Sequence, residues 1–333
     1  MKTLKHFPFA QIAHKTIACL LTFCMVNLPV WALDAGDASV SAGTAVIHSP
    51  AANTVSVDLI TPRAVVDWTQ MSAAGTETLN FAGASGFAVL NRVQSAVHFD
   101  GSLNGIGGHV FVVSPNGVVI GPNAVITASA FTAAGLNISN ANFMSGVYAF
   151  VPFTGGVTGD VVNQGRIHVT EQAALLGRMV TNSGTIVSPS GLVLMAAGES
   201  VFLSTSGSNV IVEVDGVNAA AAGAGDVINS GTIQADEGQI ILAAGDIYSS
   251  ALGIRPEEGI GRVIQSGHMH ADGTAAGSGS GGSILLTASD EVLLAAGSST
   301  TANAIPDGIG PDRPDGGSIV LSSANTVRMD TDA

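Results

Sequence analysis

The sequence predicts an all-β protein, a right-handed parallel β-helix (a solenoid) with an N-terminal capping segment. Three observations carry this expectation. Helix signals are scarce, since Gly, Ser, Thr, Asn and Val dominate and few windows set apolar residues at helical spacing against charge. Short β-branched runs bounded by Gly or Asn recur throughout, a strand-and-turn grammar. Two short elements also repeat along the chain, at spacings that start near 19 residues, as stacked coils require.

The first element reads Val161-Val162-Asn163-Gln164-Gly165-Arg166-Ile167. It returns as Val180-Thr181-Asn182-Ser183-Gly184-Thr185-Ile186, as Val227-Ile228-Asn229-Ser230-Gly231-Thr232-Ile233 and, more faintly, as Val263-Ile264-Gln265-Ser266-Gly267-His268-Met269. The second reads Gly191-Leu192-Val193-Leu194-Met195-Ala196-Ala197 and returns from Gly238, Gly282 and Gly317. Each coil supplies two or three strands whose Val, Ile and Leu side chains stack inward on those of the next coil. Asn before Ser/Gln-Gly suits a corner, where Asn tolerates and Gly freely adopts a left-handed backbone. Asn163, Asn182 and Asn229 are placed to stack as an interior side-chain ladder. At about 20 residues per coil the chain makes some 15 coils, a rod of order 70 Å at roughly 4.8 Å per strand.

An open β-helix exposes strand edges, so a cap is expected over the first coil. Leu33 to about Ile60 is the candidate, with alternation at Ser39-Val40-Ser41 and Val55-Ser56-Val57-Asp58-Leu59-Ile60. At the other end the repeat still runs through Ile319 to Val327, with no recognisable cap.

Residues 1–32 read as a secretory signal. Lys2, Lys5 and Lys15 precede an almost wholly apolar Thr16 to Ala32, and Val30-Trp31-Ala32 offers a cleavage site after Ala32. A membrane anchor is the weaker reading, because the apolar run is short for a bilayer and contains Pro29. Cleavage removes Cys19, Cys24 and every lysine, so no disulfide can lock the chain in an oxidising periplasm. It leaves 25 acids against 8 arginines, a formal charge of −17. That acidity argues against nucleic acid and anionic membrane surfaces as partners.

The sharpest local signal is the tight turn Ser114-Pro115-Asn116-Gly117-Val118, set between Phe111-Val112-Val113 and Val119-Ile120. Pro presets φ at the second turn position and Gly closes the turn. With Asp100-Gly101-Ser102-Leu103 before it and Gly135-Leu136-Asn137-Ile138-Ser139 after it, the region from about Leu33 to Ile138 resembles the secretion domain of the filamentous haemagglutinin family. Members of that family are the exported proteins of two-partner secretion and carry a haemagglutination activity domain. Ser114 stands where the family usually has Asn. Val89-Leu90-Asn91-Arg92-Val93 lies where some members carry a second, upstream Asn-Pro-Asn-Leu motif, which is not present here.

The resemblance implies a domain order of signal peptide 1–32, secretion domain with its cap 33–150, and continuing β-helix repeats 151–333. It implies passage through the periplasm of a Gram-negative bacterium and recognition by the periplasmic domains of an outer-membrane β-barrel transporter, with β-augmentation as a plausible mode. The destination is the cell surface or the medium, the outcome an adhesin, and the further partner a host-cell surface or glycan receptor. Pro115, Asn116 and Gly117 would fix an early coil that templates the rest; the plainer reading is a turn without partner contact.

Two other functions are compatible with a β-helix. A structural filament or matrix protein needs no receptor. A β-helical polysaccharide enzyme needs clustered carboxylates with a base, often beside Ca²⁺. Here the acids are scattered, the pairs Asp236-Glu237, Glu257-Glu258 and Asp290-Glu291 would point to opposite faces of a strand and are better placed in solvated loops, and after cleavage only Trp68, Tyr148 and Tyr248 remain for sugar stacking. His268-Met269-His270 puts two imidazoles on one strand face, with no evident third ligand. The acidic loop from Asp307 to Asp315 matches no calcium loop, and the Gly277 to Gly282 insertion has no lysine to make a phosphate cradle. The expectation is therefore no enzyme, no metal and no cofactor.

Overall fold

A computed structural model describes residues 33–206, 209–215, 224–247, 260–275, 279–305 and 314–333. The signal segment 1–32, Tyr248, Glu257-Glu258, Gly277 and most of the Asp307 to Asp315 loop lie outside the described residues.

The described chain winds as a parallel β-helix with three sheet faces. Going round one coil, the strand on the first face bends into the second, and a corner then leads to a short strand on the third. On the first face, residues 54–58 of Thr54–Trp68 pair with Thr78–Ala82, and the stack continues upward to Ser299–Thr301. On the second, residues 63–68 pair with Phe87–Val93, and the stack ends at Ser318–Ser323. The third runs from Val97–Phe99 to Thr326–Met329. Every one of these pairings is parallel, and equivalent repeat positions meet one above another, as in Val161↔Val180↔Val227 and Ile167↔Ile186↔Ile233.

Nine coils are present among the described residues, not some 15. At roughly 4.8 Å per strand they make a column of about 40 Å. The shortfall has a physical cause. Residues 136–158 leave the column after the second face, 29 residues of sequence separate Ala197 from Val227 and 17 separate Ala244 from Arg262 where a plain corner needs only a few, and further loops separate the first and second faces in the last two coils. Chain length therefore overstates coil number.

The cap is shorter than expected. Ala38–Ala51 lies antiparallel on Thr54–Trp68 and covers its free edge, whereas Thr54–Trp68 itself already belongs to the first coil. A single 3-10 turn, Ala35–Asp37, capped by the Asp34 carboxylate, leads into it. At the far end nothing in the described residues covers the last coil. Ile319 is 44% exposed there, while Ile186 and Ile233 on interior coils are fully buried.

Inward-facing Val, Ile, Leu and Phe form one continuous core along the column. A second core lies outside it. The second-face strands Leu192–Ala197 and Gln239–Ala244 are buried on both sides, because their outward residues pack beneath an added layer. That layer comprises the helix Asn140–Ser145 and an antiparallel sheet of Tyr148–Phe150, Ser200–Ser206 and Asn209–Asp215. Phe143 and Phe150 are its buried anchors, and Phe143 meets Phe111 edge-on at 5.3 Å. Burial on both faces explains why these strands read as unbroken apolar runs while first-face strands alternate.

The Asn ladder forms and is longer by one rung. Asn163 Nδ2 donates to Asn182 Oδ1 at 2.7 Å, Asn182 Nδ2 to Asn229 Oδ1 at 2.8 Å, and Asn229 Nδ2 to Gln265 Oε1 at 2.7 Å. Gln265 ends it on the Gly267 and Ser299 carbonyls, and Asn163 Oδ1 accepts the Gly165 N–H. All four side chains are fully buried. The expected left-handed corner does not occur, since neither these Asn residues nor the glycines after them have positive φ. Close approach makes those glycines obligatory: a Cβ at Gly184, Gly231 or Gly267 would lie 2.1–2.2 Å from the glycine carbonyl of the coil below.

Candidate functional site

Ser114 to Val118 forms the corner that carries the chain from the second face to the third in one of the earliest coils. Ser102–Val113 enters it and Val118–Ile120 leaves it. Pro115 and Asn116 are the central turn residues, and the Gly117 N–H closes the turn on the Ser114 carbonyl at 3.3 Å. Asn116 keeps negative φ, which makes this a type I turn, and Gly117 then takes φ +93°. A side chain at Gly117 would be strained and would also meet the Asp160 carbonyl at 2.9 Å.

Two side chains fasten this corner to the coil below. Ser114, fully buried, donates its hydroxyl to the Ser95 carbonyl at 2.7 Å and accepts the Asn116 N–H at 3.1 Å. Asn116, exposed, donates Nδ2 to the Gln94 carbonyl at 2.7 Å. Backbone bonds add Val97 N–H to the Gly117 carbonyl below and Val118 N–H to the Asp160 carbonyl above. An Asn at position 114 could accept the same N–H from residue 116 through its side-chain oxygen, so Ser is a workable substitute in the turn.

Directly above the corner, the chain leaves the column at Gly135 and rejoins it at Gly159, with Gly159 N–H donating to the Gly135 carbonyl at 2.8 Å. Asp160 then pairs with Arg178 at 2.6 Å. The excursion is held at its start by Arg92, which donates to Asp67, to the side chains of Asn137 and Asn140 and to the Ile138 carbonyl. The segment around Asn91 thus does structural work. Asn91 is buried, accepts the Trp68 indole N–H at 3.0 Å and donates to the Phe111 carbonyl. Gln94, Ser95 and Asp160 are the corner's partners that sequence reading missed; backbone acceptors one coil away leave no local signal.

His109 sits under the added layer. Its ring stacks on Phe111 at 3.8 Å, meets Tyr148 edge-on and bonds Thr132 Oγ1 at 2.8 Å. Burial, aided by the nearby Arg63 charge, lowers its pKa to about 3, so the imidazole is neutral at ordinary pH.

The other candidate groups are not brought together. Asp236 accepts from Gln234, while Glu237 accepts from Thr274 and from the Gly279 N–H. Asp290 accepts from Asn325, and Glu291 pairs with Arg328. The His268 and His270 rings stack at 6.2 Å, but His270 bonds Thr301. Among the described residues no group of three or more His, Cys, Asp or Glu is placed to hold a metal ion.

No protein-family model and no curated protein matches this sequence. Among solved structures, the crystal structure of the HMW1 secretion domain from Haemophilus influenzae is similar to this chain. Its TM-score is 0.71 at 25% identity, over 88% of this chain and 71% of that one. Parallel coils, an antiparallel cap and the fold likeness agree with the turn motif: the chain has the fold of a two-partner secretion domain.

Proposed function

We propose that this chain is a secreted, adhesin-like β-helix protein, carried across the outer membrane by a partner β-barrel transporter whose periplasmic domains recognise its N-terminal region. In this reading residues 1–32 are a cleaved signal, residues 33–150 carry recognition and residues 151–333 continue the helix. The observation that carries the export reading is the likeness to a secretion domain over 88% of the chain. Ser114, Pro115, Asn116, Gly117 and Val118 act as the secretion motif. Once Asn116 reaches the Gln94 carbonyl and Ser114 the Ser95 carbonyl, two successive coils are fixed in register and the next can stack. Folding that proceeds coil by coil outside the cell would draw the chain outward without ATP.

Asn116→Ala tests the motif. It deletes one hydrogen bond at an exposed corner, worth about 1 kcal/mol. The purified variant should refold, while its secretion with the partner transporter fails. Normal secretion, or failure of refolding as well, overturns recognition through this residue. The adhesin reading is tested by binding of the purified mature protein to host cells or glycan surfaces: saturable binding supports it, and its absence favours a scaffold without a receptor.

A further inference from the structure

Asn116 and Gly117 are also a chemically vulnerable pair. Glycine has no side chain to shield its backbone nitrogen from the preceding residue. In an unfolded chain, the Gly117 nitrogen loses its proton to solvent and attacks Asn116 Cγ. A Cγ–N bond forms, the Cγ–Nδ2 bond breaks, and Nδ2 leaves as ammonia after taking up a proton. Water then opens the resulting imide at one of its two carbonyls, giving aspartate or isoaspartate. Nothing but water and a solvent base is consumed.

The folded corner withholds both reacting groups. The nucleophile's N–H donates to the Ser114 carbonyl at 3.3 Å, and the leaving amide is tied to the Gln94 carbonyl at 2.7 Å. The Asn116 backbone is itself held by the Ser114 hydroxyl, which is anchored in turn on Ser95. Gln94 and Ser95 belong to the preceding coil, so the ties to them, which hold the leaving amide and anchor Ser114, exist only after two coils have stacked. We propose that Asn116–Gly117 is a spontaneous deamidation site, open in the unfolded chain and closed by coil stacking. Export in an unfolded state would then set a time limit: an isoaspartate lengthens the backbone of the turn, and either product loses the donor to Gln94.

Asn104–Gly105 is an internal comparison. It lies within the strand Ser102–Val113, and Asn104 Nδ2 donates to Asn80 Oδ1 at 2.9 Å, so its protection comes from strand pairing and the Asn80 side chain and owes nothing to Ser114.

The test incubates purified protein at pH 8, folded or in guanidinium chloride, and follows the amide-to-acid mass change at each site by proteolysis and mass spectrometry. Asn116 should convert about 100-fold more slowly in the folded protein, the scale on which misplaced reacting groups lose rate. Equal rates overturn the proposal. Ser114→Ala, confirmed as folded by Trp68 emission, should speed conversion at Asn116 by about 10-fold and leave Asn104 unchanged. No acceleration at Asn116, or equal acceleration at both sites, overturns the assignment of the lock to this corner. Should that variant not fold, the folded-to-denatured ratio of the unaltered protein decides.

Discussion

The buried amide ladder offers the sharpest physical test of the column. Replacing Asn182 by Leu removes two rungs together, its bond from Asn163 Nδ2 and its bond to Asn229 Oδ1. Both neighbours are fully buried and have no water to turn to. Each orphaned group costs about 1–3 kcal/mol, so the single substitution should destabilise the protein by about 2–6 kcal/mol. The same ring position holds Ile120 in the coil below the ladder and Leu294 in the coil above it, both buried, so an aliphatic side chain fits there. Replacing all four rungs, Asn163, Asn182, Asn229 and Gln265, by Leu then leaves the Gly165 N–H as the chief unpaired donor. The quadruple variant should therefore be no less stable than Asn182→Leu alone. Guanidinium unfolding followed by far-ultraviolet circular dichroism measures the global effect. Hydrogen exchange in Val161–Asn163, Val180–Asn182 and Val227–Asn229 reads the local one, since stacked coils can open piecemeal. A loss below about 1 kcal/mol for the single variant, or a quadruple loss near the sum of four singles, would refute the ladder as a cooperative unit.

Three further outcomes follow from the same structure. His109 is neutral when folded and has a pKa of about 3 there, against 6.5 when unfolded, so the unfolded chain binds more protons between those values. The stability it contributes is full above pH 6.5 and lost as pH falls towards 3, about 2 kcal/mol between pH 7 and 5; His109→Gln should flatten that dependence in denaturation midpoints. Gly184→Ala, whose Cβ would meet the Gly165 carbonyl at 2.2 Å, should cost several times more than Gly107→Ala, where space is open and only φ +85° is unfavourable by about 1–2 kcal/mol; paired thermal melts compare them. Asp226→Ala removes the buried carboxylate that accepts from the Arg262 backbone N–H and guanidinium; Arg262 is 38% exposed and can turn to water, so a loss of about 1–3 kcal/mol is expected in the same melts.

What could be read from the sequence was the repeat, and the repeat is an interior property. Val161, Val180, Val227 and Val263 recur because each must sit on the one before it, and Asn163, Asn182 and Asn229 recur because an amide pairs best with another amide. The added outer layer was not legible in this way. Asn140–Ser145 and Tyr148–Phe150 occur once, repeat nothing, and find partners such as Val201 some fifty residues further along the chain. Their trace was still present in Leu192–Ala197 and Gln239–Ala244, whose apolar runs lack the polar alternation of a one-sided strand. A run with no polar face requires cover on both sides.

The turn motif shows the same division between what recurs and what is met in space. Pro115 and Gly117 announce a turn by their own backbone preferences, and the turn forms where expected. The rest of its structure is its reach into the neighbouring coil, where Asn116 and Ser114 hold the carbonyls of Gln94 and Ser95, as Ser323 and Asn325 hold Asp290 in the last coil. A backbone carbonyl is available at every residue, so composition cannot mark which one is taken. Only the stacking of coils selects it, and a motif whose side-chain ties reach from one coil to the next has its full structure only where two coils have already met.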